Sequence, residues 1–367
     1  MTLTSRTAPF QYFFLAYIID IFVNFYKRAS MKKNSFISLL LISLALFSSC
    51  RKEEAKAQDD DRLVLFMAEV NPAVTISGLM DRAFKAKVAE LSQEKIIINI
   101  QYDGILGNQN KILEEMIAGK SLVDIVRISP NDLAEFGCEK CGLFGVPYLF
   151  ENTEHFWKFA NSSLAYQFLK EPYEMNIGVR GLFFGEEGFR NFFSSKKLSS
   201  IKDLEGRKLR VTNDATMQKV ATELKAQVKS VDFTEMPAKF KDGTIDAAEQ
   251  PVINYLENSF YEVAPYMILD EHVLGVTEVV ISSQAWNSLT KSQREILLQA
   301  GRYAGEYCKL ISKELENEAI QTLTSKGVSI VSVDDNTPWK EACKNAIEEL
   351  TTKFSSEYKQ ILDFAKD

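Results

Sequence analysis

From Arg62 onward, short apolar runs alternate with longer stretches whose apolar residues recur at helical spacing. "RLVLFMAEV" (62–70) is an apolar, strand-like run. In "GLMDRAFKAKVAEL" (78–91), Leu79, Ala83, Phe84, Val88 and Leu91 fall on one face of a helix. "KIIINIQYDG" (95–104) is a β-branched strand. "NQNKILEEMIAGK" (108–120) is a helix with Ile112, Met116 and Ile117 on one face and Gly119 near its end, followed by the short strand "LVDIVRI" (122–128). This alternation predicts an α/β fold, a parallel-type sheet covered by helices.

The second half repeats the theme with different content. "VRGLFFGEEG" (179–188) and "KLRVTN" (208–213) are strand candidates, "ATMQKVATELKA" (215–226) a helix, "SVDFTE" (230–235) a short strand, and "MPAKFKDGTID" (236–246) helical before a turn. After "EVVISS" (278–283) the chain is mostly helix through Gly327, then comes one strand, "VSIVSV" (328–333), and a closing helix from Thr337. In open α/β sheets a ligand binds at the carboxyl ends of strands, and with two such sheets in the cleft between them. Arg190 and Arg210 fall at the strand-to-loop transitions of the second half, where a cleft residue belongs.

The first 49 residues stand apart. "MKKNSFISLLLISLALFSSC" (31–50) has a basic start at Lys32 and Lys33, an apolar run from Phe36 to Phe47, and small residues before Cys50. That is the layout of a secretory signal whose cysteine becomes a lipid-bearing first residue. The alternative, an anchor helix that stays attached, needs an apolar run nearer ~20 residues. Because Met31 begins a complete signal, translation is expected to start there; the upstream stretch "FQYFFLAYIIDIFVNFY" is interrupted by Asp20 and Asn24. Removing residues 1–49 takes away five basic groups (Arg6, Lys27, Arg28, Lys32, Lys33) and one acidic group (Asp20), so the net charge of −7 becomes −11. So acidic a chain is ill suited to nucleic acid, whose affinity comes from neutralised phosphates. Residues 50–61, "CRKEEAKAQDDD", read as a flexible tether.

Candidate chemistry is sparse. Cys138 and Cys141 form a C-x-x-C in "FGCEKCGLFG", open to reading as a redox pair, half a zinc site or a local disulfide. With no second C-x-x-C, single Cys308 and Cys343, and His155 and His272 as the sole histidines, the favoured reading is a structural pair outside the cytoplasm. No metal and no cofactor are expected. No Ser/His/Asp or Cys/His set supports catalysis, since His272 in "DEHVLG" has no adjacent nucleophile.

"FGEEGFRNFFSSKKLSSIKDLEGRKLRVTND", followed by "VDFTEMPAKFKDGTIDAAEQPVINY", resembles the signature region of the DctP-type solute-binding proteins of TRAP transporters. "ILGNQNKILEEMIAGKSLVDI", "FGVPYLFENTEHFWKF" and "SSQAWNSLTKSQREIL" resemble further elements of that family in the same order, over about residues 62 to 350. The resemblance implies a two-domain periplasmic binding protein, not an enzyme, that closes about a hinge on a small organic anion and delivers it to a membrane permease. By this reading, residues 62–182 and 277–315 form one domain, with the long helix in the C-terminal part, and residues 183–276 and 316–367 the other. The resemblance implies that Arg210 forms a paired salt bridge with the ligand carboxylate, that Arg190 reaches the cleft, and that Asn213, Phe233 and Gln250 stand at ligand-facing positions. Cys50 would hold the protein to a membrane, facing the periplasm. Some relatives also work with a periplasmic helical-repeat protein, and a sensor subunit on the same fold is a further alternative.

The chemistry of the residues agrees. A guanidinium matches a carboxylate in two parallel bonds where lysine offers a point charge. The plainer readings pair Arg210 with Glu235 or Asp232 and Arg190 with Glu186 or Glu187, and put Phe233 in the core. "DAAEQP" lacks the family's loop glycine and has Gln250 for asparagine, Pro237 interrupts a helix, and "RNFFSS" is unusually aromatic. These departures admit a bulkier or more apolar ligand than a C4 dicarboxylate.

Overall fold

The computed structural model describes residues 62–211 and 215–366. Strand β1 (Leu63–Ala68) leads to helix α1 (Ile76–Ser92), β2 (Ile96–Gln101), α2 (Gln109–Ile117) and β3 (Ile125–Ile128). Two 3₁₀ segments (Pro130–Phe136 and Glu139–Gly145) precede α3 (Thr153–Ala160) and α4 (Ser163–Glu174). The long strand β4 (Val179–Ser194) is followed by β5 (Lys208–Arg210), α5 (Ala215–Glu223), β6 (Gln227–Lys229), α6 (Met236–Lys241), β7 (Ala247–Pro251) and α7 (Val252–Glu257). A second long strand, β8 (Tyr266–Ser282), leads to α8 (Ser283–Ser288) and the 35-residue α9 (Lys291–Ser325). Then come β9 (Ser329–Ser332), α10 (Thr337–Ala342), α11 (Lys344–Lys353) and α12 (Ser355–Asp363).

The strands join one mixed sheet in the order β2-β1-β3-β8-β4-β7-β5-β6, with β9 on β8. This corrects the expectation of separate parallel sheets. β1 pairs in parallel with β2 and β3, and β5 with β6 and β7, as strand-helix alternation requires. Antiparallel pairing of β8 with β3 and β4, and of β4 with β7, sews these parallel groups together. β4 runs on to Ser194 because its whole length is buried, so neither Glu186 nor Arg190 ends it. Register shifts between Gly181 and Phe183, Glu186 and Phe189, and Arg190 and Phe192 mark bulges that bend it.

Other differences have local causes. "SVDFTE" is not a strand: β6 ends at Lys229, and Phe233–Glu235 is a 3₁₀ turn. Helix is interrupted at Leu289, which is extended, and restarts where Thr290 and Gln293 form a capping box. The C-terminal helix is three short helices.

Two hydrophobic cores flank the sheet. The larger packs α1 and α9 on β4 and contains Phe84, Phe144, Phe159, Phe168, Phe183 and Phe184. The smaller gathers Phe192, Leu204, Leu209, Met217, Val220 and Trp339. Gly301 lets α9 lie directly on Phe183: a Cβ there would stand 2.5 Å from the ring.

Candidate functional site

A cavity of about 90 Å³ lies where strand ends and loops from β1, β3, β4, β5 and β7 converge. Arg127, Arg190 and Arg210 all line it, and their surroundings differ. Arg127 is 2% exposed and lies within β3. Its Nε donates to Glu69 Oε2 at 2.7 Å, its Nη2 donates to Glu69 Oε1, and its Nη1 donates to Gln109 Oε1 at 3.3 Å. Burial opposes its charge, but Glu69 and Glu187 outweigh that and hold its pKa above the ordinary arginine value. This fork is already filled by protein carboxylate.

Arg190 lies within β4 beside a register shift, not at a strand-to-loop transition. Its Nε pairs with Glu249 Oε2, and its Nη2 donates to the Glu249 carbonyl at 3.3 Å. The adjacent acids are engaged elsewhere. Glu186 accepts from Gly188 N on its own strand (2.5 Å), while Glu187 accepts from Ser77 Oγ (2.6 Å), Asn71 Nδ2 (3.0 Å) and Asn254 Nδ2 (3.0 Å). Glu249 is the diagonal neighbour on β7, which is where a strand residue finds its partner.

Arg210 ends β5 and is 7% exposed. Its one hydrogen bond among the described residues runs from Nε to the Val231 carbonyl at 3.1 Å, and its Nη1 is buried without a partner. Among the described residues, no carboxylate reaches ion-pair distance of it: Asp232 instead accepts from Asn108 Nδ2 at 3.3 Å. Burial pushes the Arg210 pKa down, Glu249 opposes this, and Arg190 adds to it. Among the described residues, this buried guanidinium is thus short of an anion.

Phe233 and Gln250 also line the cavity. Phe233 is partly buried against Phe260, edge-on at 5.7 Å, so it serves core and wall together. Gln250 is 3% exposed on β7, in register with Asn191. Asn213 and Cys50 lie outside the described residues, as do the signal segment and tether. Cys138 and Cys141 are buried free thiols and do not line the cavity.

Sequence reasoning missed Asn71 and Asn254. Each donates to Glu187, and each leaves its Oδ1 buried without a partner at the cavity. The carboxyl-end rule does point to Asn71, three residues past β1, but nothing local marks Asn254. The site therefore offers a charged donor fork at Arg210 together with orphaned carbonyl acceptors, which suits an anion carrying hydroxyl groups.

Comparison with known proteins identifies the family and the fold. The family model DctP, "bacterial extracellular solute-binding protein, family 7", matches residues 67–354. A TRAP periplasmic solute-binding protein from Pseudomonas putida F1, with bound D-glucuronate, superposes with a TM-score of 0.77 at 22% identity, covering 82% of this chain and 96% of that one. The sugar acid binding protein of Advenella mimigardefordensis, in complex with galactonate, gives 0.77 at 23% identity, with 83% and 98% covered. The sialic acid-binding periplasmic protein of Vibrio cholerae is 25% identical over 69% of this chain and 77% of its own length.

Proposed function

This chain belongs to the DctP family, family 7 of the bacterial extracellular solute-binding proteins, and we propose that it captures a hydroxylated monocarboxylate of the sugar-acid kind in the cavity around Arg210. It is a binding protein and not an enzyme. The observation that carries the reading is the contrast among three arginines. Arg127 and Arg190 spend their forks on Glu69 and Glu249, while Arg210, also buried, has no anionic partner among the described residues. A charge held dry and unpaired is costly, and a ligand carboxylate removes that cost. Solute therefore favours the closed state, in which Arg210 is both sheltered and paired.

The polar lining favours a hydroxylated solute over an apolar one. Asn71 Oδ1 and Asn254 Oδ1 are acceptors awaiting hydroxyl donors, and the Phe233 ring offers a face to the ligand's carbon skeleton. Solved relatives bind glucuronate and galactonate, which have this composition. Closure would bend β4 and β8 at the bulges, moving residues 62–182 with 277–315 against 183–276 with 316–367. Processing at Cys50 would anchor the protein by lipid on the periplasmic side, where a TRAP-type permease would receive the solute.

Calorimetric titration with D-glucuronate, D-galacturonate and D-galactonate, against the neutral parent sugars, tests the assignment. Binding is expected for at least one acid and for none of the neutral sugars. Comparable affinity for a neutral sugar would overturn it.

A further inference from the structure

Away from the solute cavity, a second group of polar side chains clusters, largely buried, with no assigned task. Cys138 and Cys141 sit at the junction of the two 3₁₀ segments, 1% and 0% exposed, with Cys141 N bonded to the Cys138 carbonyl at 2.8 Å. Glu171 reaches them from α4, and ligand atoms of the three residues all lie within 4.8 Å of one another. Glu278 of β8 is fully buried, and neither of its carboxylate oxygens has a partner. Its side chain occupies space that Gly181 leaves open, since a Cβ at 181 would meet Glu278 Oε1 at 2.2 Å. The sheet thus forgoes a side chain on β4 where this acid sits.

Packing does not explain two buried thiols and the buried Glu278 carboxyl in one place, with the partly exposed Glu171 at its edge, because apolar side chains of similar volume fill such a space without desolvation cost. The positive group at the cluster is Lys140, 3.1 Å from Glu171 Oε2 and stacked over Phe168. Burial, with Cys138 nearby, raises the Glu278 carboxyl well above the usual range.

We propose that Cys138, Cys141 and Glu171 bind a thiophilic divalent cation of the zinc class, with Glu278 as the carboxylate beside the metal shell. Thiolate and carboxylate donors at turn spacing suit such an ion, and metal–sulfur bonds of about 2.3 Å at a tetrahedral angle fit sulfurs within this envelope. On binding, two S–H bonds break, two metal–sulfur bonds form, and two protons pass to solvent, with no change in sulfur oxidation state. The ion would pin the 3₁₀ segments to α4 and β8. The first of those segments carries Asp132 into the solute cavity, so the metal would hold one wall of that cavity in place.

The test uses the purified protein, reduced and stripped of metal, titrated with Co²⁺ as a spectroscopic probe and then with Zn²⁺. One equivalent of cobalt is expected to give the near-ultraviolet thiolate-to-cobalt band, which zinc abolishes. Cys138→Ser and Cys141→Ser should lose the band, and Glu278→Gln should bind roughly 10–100-fold more weakly. Should the buried cysteine variants fail to fold, Glu171→Gln at the partly exposed position decides: solute binding intact with weakened cobalt affinity supports the site. Unchanged cobalt affinity in Glu171→Gln, or no band with both thiols free, overturns it. So does a Cys138–Cys141 disulfide in protein taken from cells that persists under reductant and zinc.

Discussion

Replacing Arg210 with methionine keeps most of the side-chain stem and removes the donor fork. In the structure that fork spends Nε on the Val231 carbonyl and leaves Nη1 buried and unpaired, with no carboxylate nearby among the described residues. Two charge-assisted hydrogen bonds to a ligand carboxylate contribute roughly 1.5–3 kcal/mol each. Their joint loss is about 3–6 kcal/mol, a Kd raised about 10²- to 10⁴-fold at about 1.4 kcal/mol per decade. Arg210→Lys keeps the charge without the planar fork and should fall between. The sign of the stability change discriminates further. An arginine serving a structural ion pair would cost about 3–5 kcal/mol when removed. Here the unliganded Arg210→Met protein should be at least as stable as the parent, because a dry guanidinium without an anion is replaced by an apolar chain. Calorimetry with the best sugar acid gives the first quantity, and urea unfolding without solute the second. Solute binding within about threefold of the parent, together with an earlier unfolding midpoint, would refute the reasoning on both counts.

Glu249→Gln should lower unfolding free energy by about 3–5 kcal/mol in urea titration, since Arg190 then loses its buried partner. Gly301→Ala gains up to about 1 kcal/mol of helix propensity but drives a methyl against the Phe183 ring. The overpacking cost of about 1–3 kcal/mol should win, giving a lower thermal midpoint. Glu316, close to Gly188 and facing Glu186 and Glu271, has its pKa pushed by burial first, and by those acids, from 4.5 up to about 7. A raised carboxyl favours the protonated native state, so its contribution is full below about pH 4.5 and is lost as pH rises through about 7. The slope should be no more than about 1.4 kcal/mol per pH unit in that window. Glu316→Gln should flatten it in urea unfolding followed across pH.

How much of this was legible in the sequence follows the kind of interaction involved. Arg210 was legible because its strand and motif are local, and Arg190 because a glycine-aromatic frame surrounds it. The partner of Arg190 was not. Glu186 and Glu187 are near in sequence, but a strand residue meets its neighbours across the sheet, and Glu249 is 59 positions away. Asn254 was hidden for the same reason, since its tie to Glu187 spans 67 positions. The alternation of strands and helices revealed the parallel groups. It could not reveal that β4 and β8 join them, because antiparallel pairing between distant strands leaves no periodic trace in either.

That pairing also bears on how the chain is made. Ser194 at one end of the β4–β8 ladder faces Tyr266, and Val179 at the other end faces Ser282. A ribosome therefore finishes β4, with Leu182, Phe183, Phe184, Phe189, Phe192 and Phe193, long before its partner strand exists. Until then its edge is open and apolar, the kind of surface that pairs with other chains. Until residue 282 has been synthesised, keeping that edge from pairing with other chains is a demand that this topology places on folding.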